Sequence, residues 1–163
     1  MSLVVSDTSP LHYLILCGAE NVLPRLFRRV FVPPTVFREL QHPNTPTLAR
    51  QWATALPPWV VLQAPKVVDL ALDIDAGEQE AISSARELNA DALLIDDRAG
   101  RTAALRYGLP VIGTVAVLEQ AATRGFLDLP EVLERLRQTN ARLDPELIRA
   151  CLQRDALRKR THG

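Results

Sequence analysis

The chain has few of the residues that build zinc sites and disulfide frameworks. Its 163 residues include only two cysteines, Cys17 and Cys151, which lie far apart and belong to no CxxC motif. The three histidines show no HExxH-type spacing. A zinc site is therefore not expected. The cysteines are expected to be small buried residues of a protein from a reducing compartment, the cytoplasm.

Long hydrophobic runs are also absent. No apolar stretch reaches the ~18 residues that a membrane span needs, and the N-terminal segment lacks the basic region of a signal peptide. We therefore expect no membrane association. No P-loop or GxGxxG motif occurs, which argues against nucleotide binding of those kinds.

Net positive charge is missing as well, since 19 basic residues balance 19 acidic ones. The overall basic balance of many nucleic-acid-binding proteins is thus absent. All but two of the basic residues are arginines, a side chain suited to bidentate phosphate contacts. Genomic base composition explains this arginine bias equally well.

Short apolar strands alternate with helices along the chain. We predict strands at residues 3–5, 30–32, 60–62, 92–95 and 111–112. This alternation is typical of a parallel sheet covered on both faces. The predicted fold is α/β, a three-layer α/β/α arrangement with a parallel sheet of about five strands plus C-terminal helices. Residues 1–125 are predicted to form the core and residues 126–163 a helical appendage of the same domain.

Acidic residues lie at the predicted carboxyl edge of this sheet. Asp7 follows the first strand, and Asp96 and Asp97 follow the fourth. Ligands of open parallel sheets bind outside the carboxyl ends of the strands, so these acids converge if their strands are neighbours. Glu39 lies in the last turn of a helix, where it opposes the helix dipole. Glu78 lies in the first turn of a helix that begins at the same edge.

A cluster of carboxylates predicts a particular chemistry. Like charges in one pocket repel each other and raise the pKa of each acid. Mg²⁺ or Mn²⁺ removes that conflict, because both ions prefer oxygen ligands. Such an ion can activate water and neutralise charge on a phosphate. An all-acid site without histidine or cysteine therefore favours phosphodiester hydrolysis.

Five segments of the chain resemble those of PIN-domain proteins in sequence, order and spacing. They are residues 4–11, 32–40, 76–82, 93–97 and 109–114, which read VVSDTSPL, VPPTVFREL, AGEQEAI, LLIDD and LPVIGT. Together they span roughly residues 3–118. The similarity is greatest to a prokaryotic PIN-like subgroup of largely uncharacterised proteins that are predicted to bind nucleic acid and are related to toxin–antitoxin ribonucleases.

The resemblance implies an Mg²⁺- or Mn²⁺-dependent endoribonuclease that cleaves single-stranded RNA, with residues 1–125 as its PIN-like nuclease core. It also implies a toxin of a toxin–antitoxin pair, with a small antitoxin protein as partner, and a homodimer. By motif position, Asp7 is the first acid, Glu39 the second and Glu78 the third, while Asp96 or Asp97 is the fourth. All five are expected to be catalytic and metal-binding residues.

Two positions depart from the family pattern. Glu78 stands where many relatives carry aspartate. If Asp97 is the fourth acid, Ile95 stands where many relatives carry a threonine two residues before that acid. Thr8 and Thr114 are candidates to supply the missing hydroxyl at the substrate.

Two arginines follow the acidic pair on one predicted helix. Arg98 and Arg101 are spaced i, i+3, so they share a helix face and could hold substrate phosphates. A solvated helix face is the equally good alternative.

Structural alternatives exist for two of the acids. Asp7 could merely cap a strand-to-helix turn. Asp75 and Glu78 have the spacing of a capping box, with Asp75 as the N-cap and Glu78 reaching back to it. Glu80 is expected to point away from the site into solvent.

Two other functions remain open at this point. A catalytically weak PIN-like module could bind nucleic acid or a protein without cutting. Phosphotransfer through an aspartyl phosphate is less favoured, because the Asp7 motif lacks a second aspartate and no lysine follows the final strands.

Overall fold

The computed structural model describes residues 2–162, which form a five-stranded parallel sheet with helices on both faces. The strands are β1 Leu3–Ser6, β2 Arg29–Val32, β3 Val60–Leu62, β4 Ala92–Leu94 and β5 Val111–Ile112. The helices are α1 Thr8–Leu16, α2 Leu23–Leu26, α3 Pro34–Leu40, α4 Thr47–Thr54, α5 Ala76–Glu87, α6 Arg98–Arg106, α7 Thr114–Thr123, α8 Leu129–Arg137 and α9 Pro145–His162. The predicted three-layer α/β/α fold is confirmed.

The strand order is β3-β2-β1-β4-β5, and every adjacent pair is parallel. The central strand β1 therefore lies between β2 and β4, where the chain switches from one half of the sheet to the other. Ser6 of β1 pairs in register with Leu94 of β4. Because these two strands are neighbours, the acids that follow them lie side by side at the carboxyl edge.

The hydrophobic core is divided by the sheet into two layers. On one face, Val4 and Leu94 pack with helices α1, α7 and α8. On the other face, Val5 and Leu93 pack against α5, which contributes Ile82. Strands buried on both faces must be apolar at every position, which explains their uninterrupted hydrophobic runs.

The C-terminal helices contribute to the first of these two layers. Leu129, Leu133 and Leu136 of α8 and Cys151 of α9 are buried in the same cluster as Val4. Cys17 is also buried, and both cysteines are free thiols. No helix within residues 2–162 is long and apolar enough to cross a membrane.

Helix α1 begins two residues earlier than its sequence suggests. Ser9 followed by Pro10 resembles an N-cap and first helical residue, but the N-cap is Asp7 and the helix starts at Thr8. Pro10 is still tolerated, because the first-turn N–H groups of a helix have no intrahelical acceptor. This start places Asp7 at the junction between β1 and α1.

Candidate active site

Asp7 is a buried carboxylate that performs no capping function. Its backbone N–H donates to the Leu94 carbonyl at 2.9 Å, which extends the β1–β4 pairing by one residue. The residue is only 6% exposed, and its side chain makes no cap hydrogen bond to α1. Its pKa is raised to about 7, chiefly by burial and to a smaller extent by the nearby charges of Asp75, Glu39 and Asp96. The interpretation of Asp7 as a structural cap is therefore not supported by its contacts.

Glu39 reaches the same edge from the last turn of α3. Its carboxylate accepts a hydrogen bond from the Thr8 hydroxyl. It also lies directly above the first turn of α5, because its Oε1 is 2.7 Å from the position that a Cβ on Gly77 would occupy. Only glycine at residue 77 lets the start of α5 approach Glu39 so closely.

Glu78 is the most deeply enclosed acid of the cluster. It is 5% exposed, and its Oε2 atom has no hydrogen-bond partner among the residues that the structure describes. Burial raises its pKa to about 9, and contacts with the Asp75 and Asp97 carboxyl groups raise it as well. Burying a polar atom without a hydrogen-bond partner costs free energy. Binding a proton or a cation at the Glu78 carboxylate would reduce that cost.

Of the two hydrogen bonds in the capping box predicted for Asp75 and Glu78, only one forms. Asp75 is the N-cap of α5 and accepts a hydrogen bond from the Glu78 backbone N–H at 2.8 Å. The Glu78 carboxylate does not close the box. It turns instead towards the start of α6, where a Cβ on Gly100 would overlap its Oε2 atom. The cap thus fixes the backbone of Glu78 while its side chain points into the acidic cluster.

Asp96 and Asp97 have different surroundings, although they are adjacent in sequence. Asp96 accepts two hydrogen bonds from Thr114, at 2.8 Å from its backbone N–H and at 2.6 Å from its hydroxyl. Asp97 is exposed and caps α6 by accepting from the Gly100 N–H at 3.0 Å. Asp96 is therefore held in place by the first residue of α7. Asp97 instead caps the helix that it precedes, and it also contacts Glu78.

The residues predicted to contact substrate have mixed surroundings. The hydroxyl groups of Thr8 and Thr114 donate to acids of the cluster, so in this structure they orient carboxylates. Arg101 lies at the rim of the site, with Nη1 3.6 Å from the position of a Cβ on Gly113, close to the Asp96 carboxylate. Arg98 is exposed in the first turn of α6. Contact of any of these residues with substrate stays a prediction.

Sequence reasoning missed two contributors to this environment. Asp75, treated only as a helix cap, is the nearby acid whose charge most strongly raises the pKa of Asp7. Tyr13 of α1 lies close enough to Asp96 that its pKa is raised, first by burial and then by that charge. Asp75 could have been found from its position three residues before Glu78 at the same edge. No sequence signal identifies Tyr13.

The prediction that Glu80 is solvated is wrong. Its carboxylate accepts hydrogen bonds from the backbone N–H of Thr35, at 3.1 Å, and from the Thr35 hydroxyl. Glu80 therefore joins α5 to the first turn of α3, where a negative charge is favoured by the helix dipole. This bond holds together the two helices that carry Glu78 and Glu39.

The cluster suits a hard divalent cation in its chemistry but is not arranged as a finished site. All its donors are carboxylate oxygens, the ligands that Mg²⁺ and Mn²⁺ prefer. The unpartnered Oε2 atom of Glu78 offers an unused donor. Within residues 2–162, however, no three His, Cys, Asp or Glu side chains are placed to hold a metal ion together. Binding an ion would therefore require the acidic side chains to move.

The Thr114–Asp96 hydrogen bond gives a testable prediction. Thr114→Val keeps the shape of the side chain but removes the hydroxyl that orients Asp96. We expect the affinity for Mn²⁺, measured by isothermal titration calorimetry, to fall by roughly 10- to 100-fold, as for other outer-shell partners of metal ligands. Thr114→Ser should retain most of the affinity. Thr54→Val is the matched control, because the Thr54 hydroxyl donates to a helix carbonyl on exposed α4. Equal Mn²⁺ affinities in all variants would contradict this role.

Comparison with known proteins identifies the family. A search of curated proteins finds no match. Among solved structures, the chain is similar to a PilT N-terminus domain protein from the hyperthermophilic archaeon Sulfolobus solfataricus P2. The two share 16% sequence identity at a TM-score of 0.49, over 87% of this chain and 99% of the other. A family model described as PIN domain matches residues 3–156. Because that match covers nearly the whole chain and every acid of the cluster, the chain belongs to the PIN-domain family.

Proposed function

We propose that this protein is a divalent-metal-dependent endoribonuclease that cleaves single-stranded RNA. The PIN domain is a nuclease-type fold, and the proposal extends that to a substrate and a cofactor. The observation that carries it is the burial of Asp7 and Glu78 at the carboxyl edge, without capping or ion-pair partners for their side chains within residues 2–162.

Burying these carboxylates costs the folded protein free energy. Each buried acid with a raised pKa destabilises the ionised folded protein at neutral pH. Clusters of acids whose repulsion is not offset by basic residues are characteristic of functional sites. Such sites lower the stability of the protein but make its chemistry possible. A divalent cation bound among Asp7, Glu39, Glu78 and Asp96 would reduce the repulsion between them and so offset part of the cost. Asp97 is the additional candidate ligand, since it contacts Glu78.

The residues of the site would have different roles in the reaction. When bound, Mg²⁺ or Mn²⁺ would supply Lewis-acid stabilisation of the charge on the phosphodiester undergoing hydrolysis. One of the carboxylates would take the proton of the attacking water. Arg101 at the rim, with Arg98 on the same helix, would hold the neighbouring phosphates. Thr8 and Thr114 would keep Glu39 and Asp96 in position.

The biological setting we propose is that of a toxin of a toxin–antitoxin pair, acting as a homodimer on cytoplasmic RNA. A small antitoxin protein would restrain it. Co-expression with the neighbouring gene product, followed by a growth assay, tests this part separately from the chemistry.

A catalytically weak binding module is the second candidate, and one observation favours it. No three metal-ligand side chains are mutually arranged to hold an ion in the described part of the chain. If the acids cannot move together, RNA could bind without being cut.

The deciding experiment combines metal binding with cleavage. Purified protein should cut single-stranded RNA in Mn²⁺ or Mg²⁺ and stop in EDTA. Mn²⁺ should also raise the melting temperature, because a ligand that binds only the folded state stabilises it by about 2.7 kcal/mol at 100 times Kd. Glu78→Gln should lose both effects. Glu80→Gln, on the same helix but bonded to Thr35, should keep both.

Three outcomes separate the candidates. Cleavage and Mn²⁺ stabilisation that both depend on Glu78 support the nuclease. Mn²⁺ uptake with intact RNA after prolonged incubation favours the binding module. If millimolar Mn²⁺ does not change the melting temperature, the metal site is removed from the proposal.

A further inference from the structure

A group of arginines lies at the end of the sheet opposite the acids. Arg29 is the first residue of β2, and Arg28 precedes it. Arg25 lies in α2 just before them, and Arg124 follows α7, whose other end starts at the carboxyl edge. All four side chains are exposed. We call Arg25, Arg28, Arg29 and Arg124 the basic face.

Two of these arginines share one aromatic ring. The guanidinium carbon of Arg25 is 3.8 Å from the centroid of the Phe126 ring, and that of Arg124 is 4.9 Å from it. Arg124 also donates from Nη1 to the Arg25 carbonyl at 3.3 Å. The shared ring holds the two guanidinium groups close together while both side chains stay exposed, an arrangement suited to contacts with phosphate.

Two acids near the basic face are paired with other basic residues, whereas Asp91, which precedes β4, accepts a hydrogen bond from the Leu3 backbone N–H. Glu119 accepts two hydrogen bonds from Arg154, at 2.8 and 2.9 Å. Asp155 is paired with Arg158 and with Lys159. Among the residues that the structure describes, no carboxylate lies within 4.0 Å of a basic-face guanidinium group. The four basic-face guanidinium groups therefore form no ion pair within the part of the chain that the structure describes, and remain free to contact an anion.

A cleft adjoins these arginines and gives room for a ligand. Its volume is about 550 Å³, and its lining includes Arg124 of the basic face, Thr123, and the ion-paired side chains Glu119, Arg154 and Arg158. The net charge of the whole chain is zero, so acids at one end and arginines at the other make the molecule electrically polar. A polyanion approaching the acidic site would be attracted to the opposite end.

We propose that the basic face binds the phosphate backbone of single-stranded RNA outside the nucleotides at the acidic site, an inference that rests on the proposed nuclease function. RNA long enough to reach both ends of the sheet would gain contacts that a short oligonucleotide cannot make. The basic face would therefore set affinity for long RNA and leave the rate of the chemical step unchanged.

The test compares RNA lengths in metal-free protein and then in Mn²⁺. Fluorescent single strands of about 6 and about 24 nucleotides bracket the site sizes of single-strand-binding modules. Arg25→Gln/Arg124→Gln should weaken binding of the longer strand about tenfold in EDTA. The slope of log Kd against log salt should fall by about 1.4, or about 0.7 for each lost phosphate contact. In Mn²⁺, KM for the longer strand should rise while kcat and short-strand cleavage stay unchanged.

The control removes the same charge elsewhere. Arg137→Gln/Arg149→Gln eliminates two exposed arginines that each pair with a glutamate on their own helix, and it should not change the salt slope. If circular dichroism shows that the first variant is misfolded, Arg28→Gln/Arg29→Gln tests the same face from another pair of side chains.

The outcomes distinguish this inference from the proposed function. Normal cleavage with unchanged length dependence in both basic-face variants overturns the inference and leaves the nuclease standing. Binding that requires the arginines, with no cleavage of any RNA, supports the basic face and removes the nuclease. Capture of an acidic peptide by the face, with unchanged RNA affinity, assigns the surface to a protein partner and overturns the inference.

Discussion

Asp7→Asn should reduce RNA cleavage by more than about 100-fold while leaving RNA affinity unchanged or higher. Loss of an outer-shell partner already costs roughly 10- to 100-fold, so loss of a charge at the centre of the cluster should cost more. The substitution keeps the shape of the side chain and removes only its charge. RNA affinity should not fall, because a negative group facing phosphates has been removed. Single-turnover cleavage and anisotropy binding on one preparation check both effects.

The same variant should be at least as stable as the natural chain when no metal is present. Burial raises the pKa of Asp7 from 3.8 to about 7. The folded state therefore binds this proton more tightly, and the metal-free protein loses stability as pH rises from about 4 to about 7. Asparagine does not titrate, so that part of the pH dependence should disappear. The difference at pH 8 should be on the order of a few kcal/mol in the free energy of unfolding. Added Mn²⁺ should reverse the ranking.

Asp128→Asn is the matched control for this prediction. Asp128 caps α8 by accepting from the Glu131 N–H at 3.2 Å, and asparagine caps a helix about equally well. Cleavage should therefore be unaffected. A clear loss of stability in Asp7→Asn at every pH, with activity retained, would show that Asp7 is structural and would remove it from the site.

Gly100→Ala should disrupt the site through packing alone, without altering any acid. A Cβ at residue 100 would overlap the Glu78 Oε2 atom and lie 2.6 Å from the Ile95 Cδ1 atom. Both neighbours are buried, so neither side chain can move aside into solvent. We expect cleavage to fall roughly 100-fold, because displacements of about 1 Å can have that effect. The free energy of unfolding should fall by about 1–3 kcal/mol from overpacking. Alanine's better helix propensity, worth about 1 kcal/mol, opposes part of this loss.

Ala99→Ser is the control for Gly100→Ala. It adds one heavy atom at the neighbouring exposed position of the same helix turn, and both cleavage and stability should stay close to the natural values. Wild-type activity and Mn²⁺ affinity in Gly100→Ala would mean that Glu78 has room to move without consequence. Glu78 would then lose its proposed place among the metal ligands.

The pattern of apolar and polar residues along the chain was sufficient to predict the fold and the edge at which most of the acids lie. Apolar strands of three or four residues separated by helices allow little besides a parallel sheet buried on both faces, because such strands have no polar side to expose. Once the sheet is parallel, residues that follow its strands must lie at the carboxyl edge. The placement of Asp7, Glu78 and Asp96 there follows from local patterns, whereas Glu39 was assigned to the site only through the resemblance to PIN-domain proteins.

The different surroundings of the individual acids depend on contacts that form in the folded protein. Asp96 and Asp97 are equivalent in sequence, and they differ because Thr114, 18 residues beyond Asp96, donates to one of them alone. From its sequence position Glu80 is expected to be solvated, but in the folded protein it accepts hydrogen bonds from Thr35 of α3. The burial of Glu78 depends on the glycine at residue 100 and on β4 lying next to β1. These properties arise from contacts between residues far apart in the chain, which local propensity and periodicity do not encode.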